Sequence, residues 1–191
     1  MRNPSVQDVY EPGSTGKVMT LSAAIEERKV TPSTVFTVPY GFKVGGTIFH
    51  DHQKHATERL TTTGILAESS NVGAIQVGEK LDNNVLYGYL RKFGVGSGTG
   101  SGLPGESAGV LPNVANWTGT TAPTVAFGQG YSLTSMQATS IFATIANNGV
   151  RVSPTVIAGT SDDSGHFTHS AARQSIQAIS SAIALKMRLM M

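Results

Sequence analysis

Apolar positions along this chain recur at two spacings. From Ser14 to Glu27, Val18, Leu21 and Ile25 fall three and four residues apart, the period of one helix face, just after a break at Pro12-Gly13. Over residues 35–50 the pattern changes. Val35-Phe36-Thr37-Val38 and Gly46-Thr47-Ile48-Phe49 are short β-rich runs bounded by Pro39-Tyr40-Gly41 and Gly45-Gly46, which predicts an irregular arm with short strands. Thr61-Thr62-Thr63 offers caps for a helix over 64–68. A second helix is expected after Ser69-Ser70-Asn71, reaching about Lys80, with Val72, Ile75 and Val77 inward. Asn83 or Asn84 is the expected cap of a third helix, whose stripe is Leu86, Tyr89, Leu90 and Phe93 and whose stop is Gly94. A Gly-rich stretch fills 94–109. Phe127-Gly128-Gln129-Gly130 then introduces a helix from Ser132 to about Ala146, with Leu133, Met136, Ile141 and Ile145 inside and Asn147-Asn148-Gly149 as its end. Residues 159–175 are polar and read as a loop. Ser180 to Met191 reads as a helix with no Gly or Pro to stop it, and Met187, Met190 and Met191 read as core packing.

Composition narrows the class. The chain has 191 residues, 39% apolar and 14% charged, a globular mix with enough length for one domain and its core. Net charge is +2 and the basic residues are scattered, so nothing favours nucleic acid as a partner. There is no Cys, which excludes a disulfide framework and a thiolate zinc site. No stretch approaches the ~20 apolar residues of a membrane helix, and no charged leader precedes an apolar run. The Met1-Arg2-Asn3-Pro4 start and the unstopped final helix are expected of a piece cut from a longer protein.

The chemistry begins at Ser14-Thr15-Gly16-Lys17. At i and i+3 on a helix, a hydroxyl and an amine share one face. Serine is a weak nucleophile until a base takes its proton, and lysine can be that base only where burial or a nearby charge lowers its pKa. A helix start suits both needs, because its positive end disfavours an ammonium and stabilises an oxyanion. Taken alone, the tetrapeptide is more often a solvated helix face. A phosphate-loop reading of Gly16-Lys17 fails, since Glu11 stands where the first Gly belongs and Val18 where Ser or Thr belongs.

The longer string decides between these readings. Tyr10-Glu11-Pro12-Gly13-Ser14-Thr15-Gly16-Lys17 resembles the nucleophile segment of class B penicillin-binding proteins. A second motif of that family, Ser-x-Asn, is matched by Ser69-Ser70-Asn71, roughly fifty residues further on. Residues i and i+2 do not share a helix face, so this pair belongs at a break between helices. Leu90 to Gly94, Gly102 to Glu106, Gly128-Gln129-Gly130 and Ile145 to Gly149 resemble the family too, in order along nearly the whole chain. The likeness is nearest to the division-type enzymes.

The resemblance implies a mixed α/β (α+β) chain with the penicillin-recognising, β-lactamase-like fold, residues 1–191 forming a partial transpeptidase domain. It implies Ser14 as the acylated nucleophile, Lys17 as its base, Ser69 as a proton relay, and Asn71 as a holder of the substrate amide and of Lys17. The Ser14 amide would be half of an oxyanion hole, with Gln129 and Gly130 shaping the site from behind. Implied partners are peptidoglycan stem peptides, β-lactams and, through the parent protein, division proteins. The implied place is the extracytoplasmic side of the bacterial cytoplasmic membrane, reached through an anchor outside this chain. No cofactor or metal is implied.

One departure stands out. None of the chain's seven lysines is followed by Thr/Ser-Gly, the family's third motif. The expectation is therefore that the chain stops before that motif and before most of the central sheet, leaving mainly the helical lobe, and that this piece alone is a poor penicillin binder with an exposed apolar face. His50, His52 and His55 could ligate a metal, but no acidic pattern supports that, and Asp51-His52 is expected on a surface arm. Glu68 reads as a capping or surface residue. Rival readings with the same nucleophile are a β-lactamase, which lacks a Glu in a matching context here, and a β-lactam sensor. A non-catalytic division scaffold is opposed by the intact Ser14, Lys17, Ser69 and Asn71.

Overall fold

The computed structural model describes residues 2–170 and 173–191. The chain opens with a short helix α1 (Pro4–Gln7) and strand β1 (Val9–Tyr10), then a 3-10 turn over Gly13–Gly16 leads directly into α2 (Lys17–Glu26). An arm follows, with β2 (Val35–Val38), β3 (Gly41–Val44), β4 (Thr47–His50) and β5 (Glu58–Thr61). Helices α3 (Thr62–Ala67), α4 (Asn71–Gly78) and α5 (Asn83–Phe93) come next, and then α6 (Thr121–Ala126) after the Gly-rich stretch. The remainder is β6 (Leu133–Thr134), α7 (Ser135–Ala146), β7 (Val150–Val152), β8 (Gly159–Ser161), β9 (Phe167–His169), β10 (Ser175–Gln177) and α8 (Ser181–Met190). Among the described residues every ladder is a two-stranded antiparallel pair: β1 with β6, β2 with β5, β3 with β4, β7 with β10, and β8 with β9.

The core is helical and α2 is its axis. Every residue from Lys17 to Ile25 is buried, and α2 packs against α4, α5 and α8. The apolar spacing predicts a single inward stripe, yet the helix is enclosed all round. Small residues make that possible: Ala23 and Ala24 let neighbours approach, and Thr20 Oγ1 donates to the Ala126 carbonyl at 2.9 Å. Met19 and Leu21 are fully buried, each stabilising the fold by about 2 kcal/mol relative to exposure.

Helix ends follow local chemistry. Thr61, Ser70, Thr134 and Ser180 each accept a backbone N–H inside the first turn of α3, α4, α7 and α8. Gly94 ends α5 with φ 101°, a conformation that favours glycine. The cap of α5 is Asp82, one residue before the expected asparagines, because its carboxylate already accepts from Asn84 N at 2.8 Å. The last long helix begins later than expected. Leu133-Thr134 instead pairs with Val9-Tyr10, and Thr134 and Gln137 close a reciprocal capping box. Residues 159–170, expected as loop, hold the β8–β9 hairpin, while 171–172 of that stretch lie outside the described residues. Met187 and Met190 are buried as expected, whereas Met191 is 57% exposed beside exposed Leu185 and Leu189. Among the described residues no helix is long and apolar enough to cross a membrane.

Candidate active site

The turn that carries Ser14 is held from below by the loop after α6. Gly13 N donates to the Gly128 carbonyl at 2.8 Å, and Gly130 N donates to Glu11 Oε1 at 2.9 Å. The approach is too close for side chains. A Cβ on Gly128, whose φ is 95°, would lie 1.8 Å from the Gly13 carbonyl oxygen, and one on Gly16 would lie 2.3 Å from the Tyr131 hydroxyl. Gln129 and Gly130 themselves are exposed, so the backing comes from Gly128 and buried Tyr131. The turn therefore presents the exposed Ser14 side chain outward while Lys17, one turn on, points into the interior.

Lys17 has no solvent exposure, and its Nζ lies 3.1 Å from Ser14 Oγ and 3.1 Å from Ser69 Oγ. It also donates to the Ser69 carbonyl oxygen. Those three acceptors match the three protons of an ammonium. Burial pulls the Lys17 pKa down to about 8, against an opposing pull from the Asp51 carboxylate. The amine thus gives up its proton at a pH well below that needed by an exposed lysine, although most copies still carry it at neutrality.

The 69–71 turn joins α3 to α4. Ser69 has φ 56°, a left-handed backbone that aims both its hydroxyl and its carbonyl at Lys17. Asn71 begins α4, and its Nδ2 donates to the His50 carbonyl at 3.3 Å. Among the described residues no bond joins Asn71 to Lys17, so the structure does not bring those two together as expected. Asn71 nevertheless lines, with Ser14 and Ser69, an open cleft of about 520 Å³. Glu68 is an exposed residue at the end of α3 and also faces this cleft.

Asp51 is the residue sequence reasoning misplaced. It is 9% exposed, not a surface position. Its Oδ2 accepts from Ser70 Oγ at 2.8 Å and from His55 Nε2 at 3.0 Å, and its Oδ1 accepts from Val72 N at 2.9 Å. An acid two residues past a short β-rich run offers no signal of this. The His50 ring packs on Tyr40 with centroids 4.8 Å apart, and His55 is tied to Asp51, so two of the three histidines have structural partners.

A family model described as the penicillin binding protein transpeptidase domain matches residues 1–191. The chain belongs to that family. Penicillin-binding protein PbpB of Mycobacterium tuberculosis is 40% identical over 189 residues, covering 99% of this chain and 28% of that protein. Peptidoglycan D,D-transpeptidase FtsI of Escherichia coli K12 is 34% identical over 151 residues, 78% of this chain and 25% of that protein. Among solved structures, penicillin binding protein 3 of M. tuberculosis complexed with aztreonam matches with a TM-score of 0.96 at 40% identity, over 98% of this chain and 42% of that one. A peptidoglycan synthetase from Bifidobacterium adolescentis also gives 0.96, at 37% identity, over 99% of this chain and 35% of that one. The chain spans under a third of the length of these curated relatives. The mixed helix-and-strand fold expected from the sequence is the fold of this transpeptidase family.

Proposed function

We propose that this chain carries the acylation machinery of a peptidoglycan D,D-transpeptidase of the division type, acting in the bacterial cell envelope on the outer side of the cytoplasmic membrane. The observation that carries the reading is the position of the buried Lys17 Nζ, 3.1 Å from both the Ser14 and Ser69 hydroxyls. Neutral Lys17 takes the proton from Ser14 Oγ as that oxygen attacks the carbonyl of the penultimate D-alanine in a stem peptide. The Ser14 N–H, at the start of its turn, supports the oxyanion. The proton passes through Ser69 Oγ to the departing amine of the terminal D-alanine, leaving an ester on Ser14. Asn71 orients the substrate amide, and an amine from a neighbouring stem peptide resolves the ester into a cross-link. A β-lactam opens on Ser14 by the same first step and remains there. Division proteins are the partners of the whole protein.

The 191 residues contain no Lys-Thr/Ser-Gly, the motif that would hold the substrate carboxylate from the opposite wall. We therefore expect the isolated chain to label poorly with a fluorescent penicillin and the native gene product to label well. Digestion of the labelled native protein with trypsin places the adduct on the peptide Asn3–Lys17. Lys17→Ala lowers the acylation rate by at least about a thousandfold, and Ser14→Ala abolishes it. An adduct that survives Ser14→Ala overturns the reading. A long-lived adduct separates a transpeptidase from a β-lactamase, which would release it within seconds to minutes.

A further inference from the structure

The arm between β4 and β5 is not an obvious part of the machinery, yet it reaches the start of α4 at three points. Asp51 accepts from Ser70 Oγ and Val72 N, the two donors that open α4, and the adjacent His50 carbonyl accepts from Asn71 Nδ2. Ser70 Oγ in turn accepts from Gly73 N at 2.8 Å, so one hydroxyl links the carboxylate to the helix start. Ser69, held in a left-handed conformation, is the next residue back. A carboxylate at a helix N-terminus is also where the helix dipole favours negative charge.

We infer that Asp51 is a positioning residue for acylation: it clamps the first turn of α4, so that Ser69 faces Lys17 and Asn71 faces the cleft. The inference rests on the acyl-transfer reading of Ser14 and Lys17. The clamp has an electrostatic side as well. The charged and titratable groups around Asp51 are Lys17 from α2, Tyr40, His50, His52, Lys54 and His55 from the arm, Glu58 from β5 and Glu68 from the end of α3. Only Asp51 is both buried and negative. Its charge opposes the effect of burying Lys17, keeping the amine more basic than burial alone would. A residue that merely braced the fold would leave the protonation of Lys17 untouched.

The test uses Asp51→Asn, which keeps shape and one acceptor but removes the charge, and Ser70→Ala, which keeps the charge but cuts the bond to the turn. Acylation of the native gene product by a fluorescent penicillin is followed across pH. Asp51→Asn slows it about tenfold at its best pH and moves the rising limb to lower pH, because less alkali is needed to free the Lys17 amine. Ser70→Ala slows it by a similar factor without moving the limb. A second readout does not need catalysis: the Lys17 ε-methylene signal in NMR titrates at lower pH in Asp51→Asn and at the wild-type pH in Ser70→Ala. Acylation within about twofold of wild type in a folded Asp51→Asn, with the limb and the NMR titration unmoved, overturns the inference. If Asp51→Asn does not fold, Ser70→Ala with unaltered acylation overturns it. A wild-type protein that never acylates Ser14 overturns the transpeptidase reading instead, while a shifted Lys17 titration would still mark the charge coupling.

Discussion

The arm over residues 35–61 and the arm over residues 150–177 share a plan. Each nests a short hairpin inside a longer antiparallel pair: β3–β4 inside β2–β5 in the first, and β8–β9 inside β7–β10 in the second. Their surroundings differ. In the first, Phe36, Phe42, Val44, Phe49 and Leu60 pack against the helical core, Phe49 meets Phe127 edge-on with centroids 6.0 Å apart, and Asp51 enters α4. In the second, Val156, Ile157, Phe167 and Ile176 are exposed, and every residue of β9 and β10 faces solvent. Two-stranded ladders are marginal in water by themselves. The contrast teaches that ladder bonds do not make an arm part of a site. A few side chains driven into the helices do.

Substitutions in the two arms should break or sharpen this contrast. Asp51→Ala strands Ser70 Oγ and Val72 N without their buried acceptor, and should cost about 3 kcal/mol, read as a lowered midpoint in urea. Phe49→Ala empties a half-buried contact on Phe127 and should cost about 2 kcal/mol by the same measurement. His55→Gln should act through pH. The His55 pKa is raised by its bond to the Ala56 carbonyl, with further help from Asp51 and Glu58 against a little burial. A raised pKa means stabilisation that is complete below the ordinary histidine value and fades as pH rises through the folded one. His55→Gln should therefore flatten the melting temperature across that window and change little above it. Replacing residues 159–169 with an Asn-Gly turn should have the smallest effect, within about 0.5 kcal/mol and with penicillin acylation intact. A large loss from that excision, or none from Asp51→Ala, would erase the distinction.

Much of the helical scaffold was legible in the sequence, because caps act locally. Thr61, Gly94 and Ser180 announce their helix ends through their own side chains or backbone freedom. Asp82 and the two asparagines that follow it are all good caps, so the sequence alone does not single out Asp82. The reciprocal Thr134–Gln137 box has a legible sequence pattern, Thr followed three residues later by Gln. Its Gln137 is buried and lies within bonding distance of the Gly94, Ser97 and Ala108 carbonyls, so one amide pins the Gly-rich stretch. Ser14 and Lys17 were legible because a one-turn spacing carries the geometry. Asp51 and Tyr131 were not, since their meaning lies in partners that only folding brings near. Nor could spacing reveal that α2 is enclosed on all sides, because apart from Met19 the residues between its apolar-stripe positions are Thr, Ser and Ala, which are equally at home in water.

The buried amine of Lys17 has a consequence for hydrogen traffic. With no surface of its own, the nitrogen trades a proton with bulk water by way of two neighbours, the side-chain oxygens of Ser14 and Ser69, both on exposed residues. Once an ester occupies the first, a single doorway is left.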